Sequence, residues 1–167
     1  DAVSLETLCS SLPELVVCKS MSKCYALSGL RVAYAVSQNM STLRRFIPPW
    51  AVSLPGQLAA VAALRNTAYY AAQYDIIHQQ RTAMQTTLEG LGFRVFSGVA
   101  NYLLTYLPAA SGFTSLRFIE ACRAEGLFVR DAQNMGVMLP NNAVRFAVRS
   151  PEENERMLSI VDAVLAS

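Results

Sequence analysis

Ser20-Met21-Ser22-Lys23-Cys24-Tyr25-Ala26-Leu27-Ser28-Gly29-Leu30-Arg31-Val32-Ala33 is the stretch from which the rest of this chain is read. An apolar run at residues 15–18 leads in and reads as a short buried strand, and a second run at residues 32–36 returns the chain to the core. Between them lie small hydroxyl residues, a lysine and a glycine-spaced arginine. A lysine at the mouth of a buried strand serves as an amine nucleophile beside an anion pocket. Ser20 and Ser22 are hydroxyl donors suited to phosphate oxygens. Arg31 offers a planar fork for phosphate that keeps its charge. The chain has only two lysines, Lys19 and Lys23, against twelve arginines, so amine chemistry has few places to occur. A surface turn between strands uses the same residue types, and Ser-x-Ser-Lys alone does not separate the two readings.

The longer pattern does. These fourteen residues resemble the lysine signature of class I/II aminotransferases, the fold type I pyridoxal-phosphate enzymes, and within them histidinol-phosphate aminotransferases and threonine-phosphate decarboxylases. The resemblance implies that Lys23 carries pyridoxal 5'-phosphate (PLP) as a Schiff base. It implies further that Ser20 and Arg31 hold the cofactor phosphate, with Ser22 beside them.

Composition agrees with a packed protein. Of 167 residues 53% are hydrophobic and 16% charged, with a formal net charge of +2; this is not the profile of a disordered chain. The arginines are scattered, which leaves no nucleic-acid footprint. No apolar run approaches the roughly 18 residues of a membrane span. Cys9, Cys18, Cys24 and Cys122 lack zinc or redox spacing, so no metal site is expected. Cys18 and Cys24 read as small buried hydrophobes, and a reducing cytoplasm fits best. Residues 1–4 open as if in the middle of a loop.

Along the chain, Ser4 caps a predicted helix reaching Leu12. Asn39 or Ser41 starts a brief one through Phe46, and Pro48-Pro49-Trp50 belongs to an interface or a core. Ser53 with Pro55 marks another helix start. Residues 57–64 are alanine-rich and should pack closely on a neighbour. Residues 67–91 predict one long helix closed by Gly92. Strands follow at residues 93–96, 101–106, 127–130 and 143–148. A helix capped by Thr114 or Ser115 ends at Gly126. Ser150-Pro151-Glu152-Glu153 is a capping box opening a final helix that buries Met157, Ile160, Val161, Val164 and Leu165. The expected class is α/β: residues 1–75 as the C-terminal segment of a fold type I large domain, then residues 76–167 as a small α+β C-terminal domain.

A second group of candidates lies in that later part. Arg145 sits inside an apolar strand, an expensive place for a charge unless it is paired, faces a ligand or points outward to water. Residues 143–154 resemble the family segment whose first arginine grips the substrate α-carboxylate, which implies that role for Arg145. Arg149, where many relatives have glycine, is expected on the same side of the strand, either as a rival ligand for the substrate α-carboxylate or as a second anion contact suited to a phosphorylated substrate. Asn101 matches a family stretch that approaches the substrate, and a buried asparagine satisfying its own backbone fits it equally. Arg130 is assigned nothing beyond a salt bridge to a neighbour. His78, the only histidine, reads as a solvated helix residue.

The resemblance implies amino transfer between an amino acid, with or without a distal phosphate, and a 2-oxo acid in a homodimer. It also implies that the family's upstream half is missing, with its ring-stacking aromatic, phosphate-binding helix and ring-nitrogen aspartate. By itself this chain should then be a poor catalyst. The alternatives are a decarboxylase with the same cofactor and a non-catalytic module that reuses the fold.

Overall fold

The computed structural model describes residues 4–167; residues 1–3, part of the stretch read as mid-loop, lie outside them. Ser4 Oγ accepts a hydrogen bond from the Glu6 amide at 3.3 Å and opens a 3-10 turn, Leu5–Ser10. The leucine spacing predicts an α-helix to Leu12. However, Leu5, Leu8 and Leu12 are all exposed, so no packed face sustains a longer helix there.

The next two elements, β1 (Val17–Ser20) and β2 (Ala33–Val36), form a two-stranded antiparallel ribbon, with Val17 opposite Val36 and Ser20 opposite Ala33. The strand before the lysine is therefore not buried as the apolar run suggests. Val17 and Lys19 are half-buried while Cys18 and Ser20 are exposed. Among the described residues each strand has one neighbour only, so a free edge of each meets water. Cys18 on β1 and Cys24 on the following loop are both exposed, against the buried reading of both.

A short helix, α1 (Met40–Leu43), tightens into a 3-10 turn at Arg44–Phe46. Helix α2 (Leu54–Arg65) is capped by Ser53, whose Oγ accepts from the Gly56 amide at 3.2 Å, with Pro55 in its first turn. Gly56 is a packing requirement, since a Cβ there would lie 2.9 Å from Val32 Cγ2. Met21, Val32 and Ala63 form the buried centre of this region, with Leu27, Tyr34, Val52 and Tyr70 packed against it.

Helix α3 (Thr67–Gly90) contains the division between two compact units, one ending at Ala72 and the other starting at Gln73. The second unit holds β3 (Arg94–Val95), β4 (Tyr102–Tyr106), α4 (Ser115–Ala124), β5 (Arg130–Asp131), β6 (Ala143–Ala147) and α5 (Pro151–Leu165). Its four strands make one antiparallel sheet in the order β3-β4-β6-β5. Cap chemistry sets the helix ends: Thr114 Oγ1 accepts from the Arg117 amide, and Ser150 and Glu153 close a reciprocal capping box.

Helix α4 ends in a Schellman closure, with the Gly126 amide on Arg123 O at 3.0 Å and the Leu127 amide on Cys122 O at 2.8 Å. Gly126 takes φ +77°, which favours glycine. That closure draws residues 127–129 off the sheet, so the strand predicted at residues 127–130 shrinks to β5. Val144 and Phe146 of β6 join Phe118, Met157 and Val161 in the unit's core. Phe93 meets Phe146 edge to face at 5.7 Å between ring centroids, and Phe118 meets it at 6.4 Å.

Phe146, 1% exposed, should therefore be a keystone of the second unit. Phe146→Ala is expected to cost about 3–5 kcal/mol. Trp50→Ala, at a side chain 96% exposed, should stay within about 0.5 kcal/mol. Urea unfolding of the two variants checks both, and equal losses would contradict the assignment of the core.

Candidate functional site

The candidate residues of the first unit sit on one loop at the end of the β1–β2 ribbon. Its neck is fixed. The Met21 amide donates to Val32 O at 3.1 Å, continuing the ladder by one pair, and Met21 is fully buried. From there the chain turns outward. The Ala26 amide reaches Lys23 O at 3.3 Å, the Leu27 amide returns to Met21 O at 3.2 Å, and Ser28–Leu30 forms a 3-10 turn. Ala26 and Arg31 both hold positive φ, at 55° and 54°, which costs non-glycine residues about 1–2 kcal/mol each. Such strain collects where a loop is built for a ligand.

Ser20 and Arg31 stand at the two ends of this loop and Lys23 between them. Ser20 Oγ accepts from the Ser22 amide at 3.3 Å, which leaves its own O–H to donate elsewhere. Arg31 Nη1 donates to Ser28 O at 3.1 Å, and the guanidinium has no carboxylate in ion-pair range among the described residues. Lys23 is exposed, and its Nζ makes neither an ion pair nor a hydrogen bond among the described residues. The residues expected to form an anion pocket thus share one exposed loop, with Arg31 hydrogen-bonded, among the described residues, only to that loop's own backbone.

Lys19 has the opposite fate. Its Nζ is 2.9 Å from Glu6 Oε2 and donates to Ser4 Oγ at 2.8 Å. Tyr34, opposite Lys19 on β2, shares the same carboxylate. The hydrogen bonds from Lys19 and Tyr34 hold the Glu6 carboxyl below its ordinary value of 4.5. Burial, with the Glu6 hydrogen bond, pushes the Tyr34 phenol up to about 12. This cluster ties the first turn to the ribbon that carries the lysine loop.

In the second unit Arg145 is half-buried on β6, its guanidinium carbon 4.9 Å from the centre of the Tyr102 ring. Strand alternation puts it on the face opposite Phe146 and the helix-covered core. The register sets Arg130 of β5 directly across from it. The salt bridge expected for Arg130 is not formed among the described residues. Two like charges opposite each other on a sheet are unfavourable unless an anion lies between them. Sequence reasoning missed Arg130 because its partner is set by register, and only the generic Arg-Asp dipeptide marks it.

Asn101 is exposed, not buried. Its carbonyl accepts from the Val148 amide at 3.0 Å, and its side chain makes no hydrogen bond among the described residues. Buried Arg81 braces the segment before it, donating to Phe96 O at 3.3 Å and to Gln85 Oε1 at 3.1 Å. Arg149 lies beyond the end of β6, where strand alternation no longer applies. Its nearest acid is Glu153 of α5, at 3.9 Å, and Asn154 clamps its backbone at both N–H and C=O. His78 is exposed on α3. The structure thus gathers Ser20, Ser22, Lys23 and Arg31 on one loop, sets Arg145 opposite Arg130, and holds Arg149 against the first turn of α5.

An exposed, uncommitted lysine flanked by phosphate-type donors defines the first group, and a carboxylate-type arginine pair the second. The sequence profile described as aminotransferase class I and II matches residues 1–161, and the chain belongs to that family. It is 33% identical to an aromatic amino acid aminotransferase of Rhodococcus erythropolis, over 99% of this chain and 44% of that protein. It is 29% identical to a histidinol-phosphate aminotransferase of Rhodopseudomonas palustris, over 95% of this chain and 43% of that protein. The solved histidinol-phosphate aminotransferase of Clostridium acetobutylicum has the same fold, with TM-score 0.87 and 24% identity over 98% of this chain and 49% of that one. That of Sinorhizobium meliloti, solved with pyridoxal-5'-phosphate, aligns at TM-score 0.80 and 20% identity over 95% of this chain and 44% of that one. The chain spans less than half the length of the curated relatives it matches. Among the described residues no helix is long and apolar enough to cross a membrane.

The Glu6 cluster makes the loop's support pH-dependent. A carboxyl depressed on folding contributes stability that is present above its unfolded value, near 4.5, and lost as pH falls through the lower folded value. Protection of the β1–β2 ladder amides, measured against intrinsic exchange at each pH, should therefore fall below about pH 4.5 in the native sequence. Glu6→Gln should exchange faster at neutral pH and lose that acid step; an unchanged profile would remove Glu6 from the account.

Proposed function

We propose that this chain is the lysine-bearing C-terminal portion of a PLP-dependent aminotransferase. Residues 1–75 are then the end of the cofactor-binding large domain, and residues 76–167 the small α+β C-terminal domain. The substrates are an amino acid and a 2-oxo acid, and the compartment is the cytoplasm. One observation carries the reading. Of two lysines, Lys19 is held by Glu6 at 2.9 Å, while Lys23 stands uncommitted between Ser20 and Arg31.

The residues present fit the cofactor. A free amine suits an aldehyde carbon, and the Ser20 hydroxyl, Ser22 and the forked Arg31 suit a phosphate dianion. When bound, PLP supplies an electron sink for the charge left on the substrate Cα. Lys23 Nζ is the atom that would hold the cofactor at its aldehyde carbon. Its amine would also serve as the general base for the proton on the substrate Cα and return one as acid. Arg145, with Arg130 opposite, holds the substrate carboxylate, and its stacking on Tyr102 fixes the fork's plane. Asn101 presents its side chain toward the same substrate. The named relatives favour amino transfer over decarboxylation.

Reduction with borohydride in the presence of PLP should label Lys23 and spare Lys19 in peptide maps. Arg31→Gln should weaken that labelling about tenfold, as should replacing PLP with pyridoxal, which lacks the phosphate. Labelling of both lysines alike would end the reading. The same preparation, spanning 44% of a relative's length, should show no amino transfer at ordinary enzyme rates of about 1 per second or more.

A homodimer, with the upstream part of the same enzyme, is the proposed partner set. Phe46, Trp50, Leu54 and Leu58 of the first unit are 80%, 96%, 67% and 64% exposed. Trp50 also lines a groove of about 670 Å³ with Met21, Val32, Ile47 and Val61. Soluble monomers rarely leave a large apolar patch uncovered. Sedimentation should show concentration-dependent self-association, shifted to monomer by Trp50→Asp with Leu58→Asp. A monomer at all concentrations would contradict it.

A further inference from the structure

The Schellman closure of α4 leaves a wedge in the second unit. Residues 127–129 never rejoin β6, which pairs with β5 only at Arg130 and Asp131. The gap is a pocket of about 260 Å³ between residues 126–129, the end of β6 and α5. Phe146, Met157 and Ile160 make its floor, and Phe128, 79% exposed, stands at its wall. Phe146 points to the helix-covered side of the sheet and Arg145 to the other, so this pocket lies apart from the Arg145–Arg130 pair.

Its charged lining is Arg149, Arg156 and Glu153. The Arg149–Glu153 pair is loose, 3.9 Å apart with side chains 64% and 58% exposed. Arg156 has no acid in ion-pair range among the described residues. Two guanidinium groups against one carboxylate leave a cationic lip over an apolar floor. The volume is below the roughly 300–1,000 Å³ of sites for drug-sized ligands. It suits one ring or branched-alkyl body with a single carboxylate.

We propose that this wedge is a second binding site, for a small aryl or branched-alkyl carboxylate whose charge meets Arg149 and Arg156 while its apolar body lies on Phe146, Met157 and Ile160. Arg149 thereby serves this site instead of the substrate α-carboxylate. The proposal does not depend on PLP or on amino transfer.

Phenylacetate titrated into the isotope-labelled chain tests it by amide chemical shifts. Saturable shifts are expected at Phe128, Arg149, Arg156 and Met157, with a Kd of about 1 mM. Acetate, which has the charge alone, and 2-phenylethanol, which has the ring alone, should each bind about tenfold more weakly. Arg156→Gln, at an exposed position, should weaken phenylacetate about tenfold. Ile160→Phe should abolish the shifts by filling the floor, with native amide dispersion showing that the fold persists. Shifts centred on Arg130 and Arg145, equal binding of acetate and phenylacetate, or no saturable shift would each overturn the site.

Discussion

The lysine loop depends on the hydrogen bond from the Met21 amide to Val32 O, made over a fully buried Met21 side chain. It adds one rung to a ladder only four residue pairs long, and it closes the neck of the loop. Val32 packs against Gly56 so tightly that α2 has no room for a Cβ there. The Lys19–Glu6–Tyr34 cluster grips the ribbon two pairs away from that rung. An exposed amine and an exposed guanidinium are thus presented from a braced base, which is how a loop can keep two left-handed residues without a ligand.

The second unit solves a different problem. It builds a core from aromatic rings in edge-to-face contact and places on the outer sheet face charges that the core could not hold. Arg145 is half-buried yet stacked on Tyr102, which supports its aliphatic and planar parts while leaving its N–H groups available. The cross-strand position of Arg130 concentrates positive charge where no acid among the described residues forms an ion pair with it. Like charges set opposite each other on a sheet cost stability.

Local chemistry was well marked along the chain. Ser53, Thr114 and Ser150 each announced a helix start because a cap depends on atoms within three residues of it. The long α3 was legible from apolar spacing. The burial of β1 was misread, since an apolar run looks the same whether its strand sits inside a sheet or at a free edge. The strand at residues 127–129 was lost because the carbonyls ending α4 took the Gly126 and Leu127 amides first. For Arg149, alternation was extended past Ala147, where the strand stops.

The sequence by itself determined the lysine signature, the helix caps and the identity of the donors, because each is fixed by chemistry within a few residues along the chain. Only the tertiary structure decided which of two lysines is committed to an ion pair and which arginine faces Arg145. It also decided where Arg149 ends. Those outcomes rest on strand register and on packing between residues distant in sequence, and no local pattern encodes either.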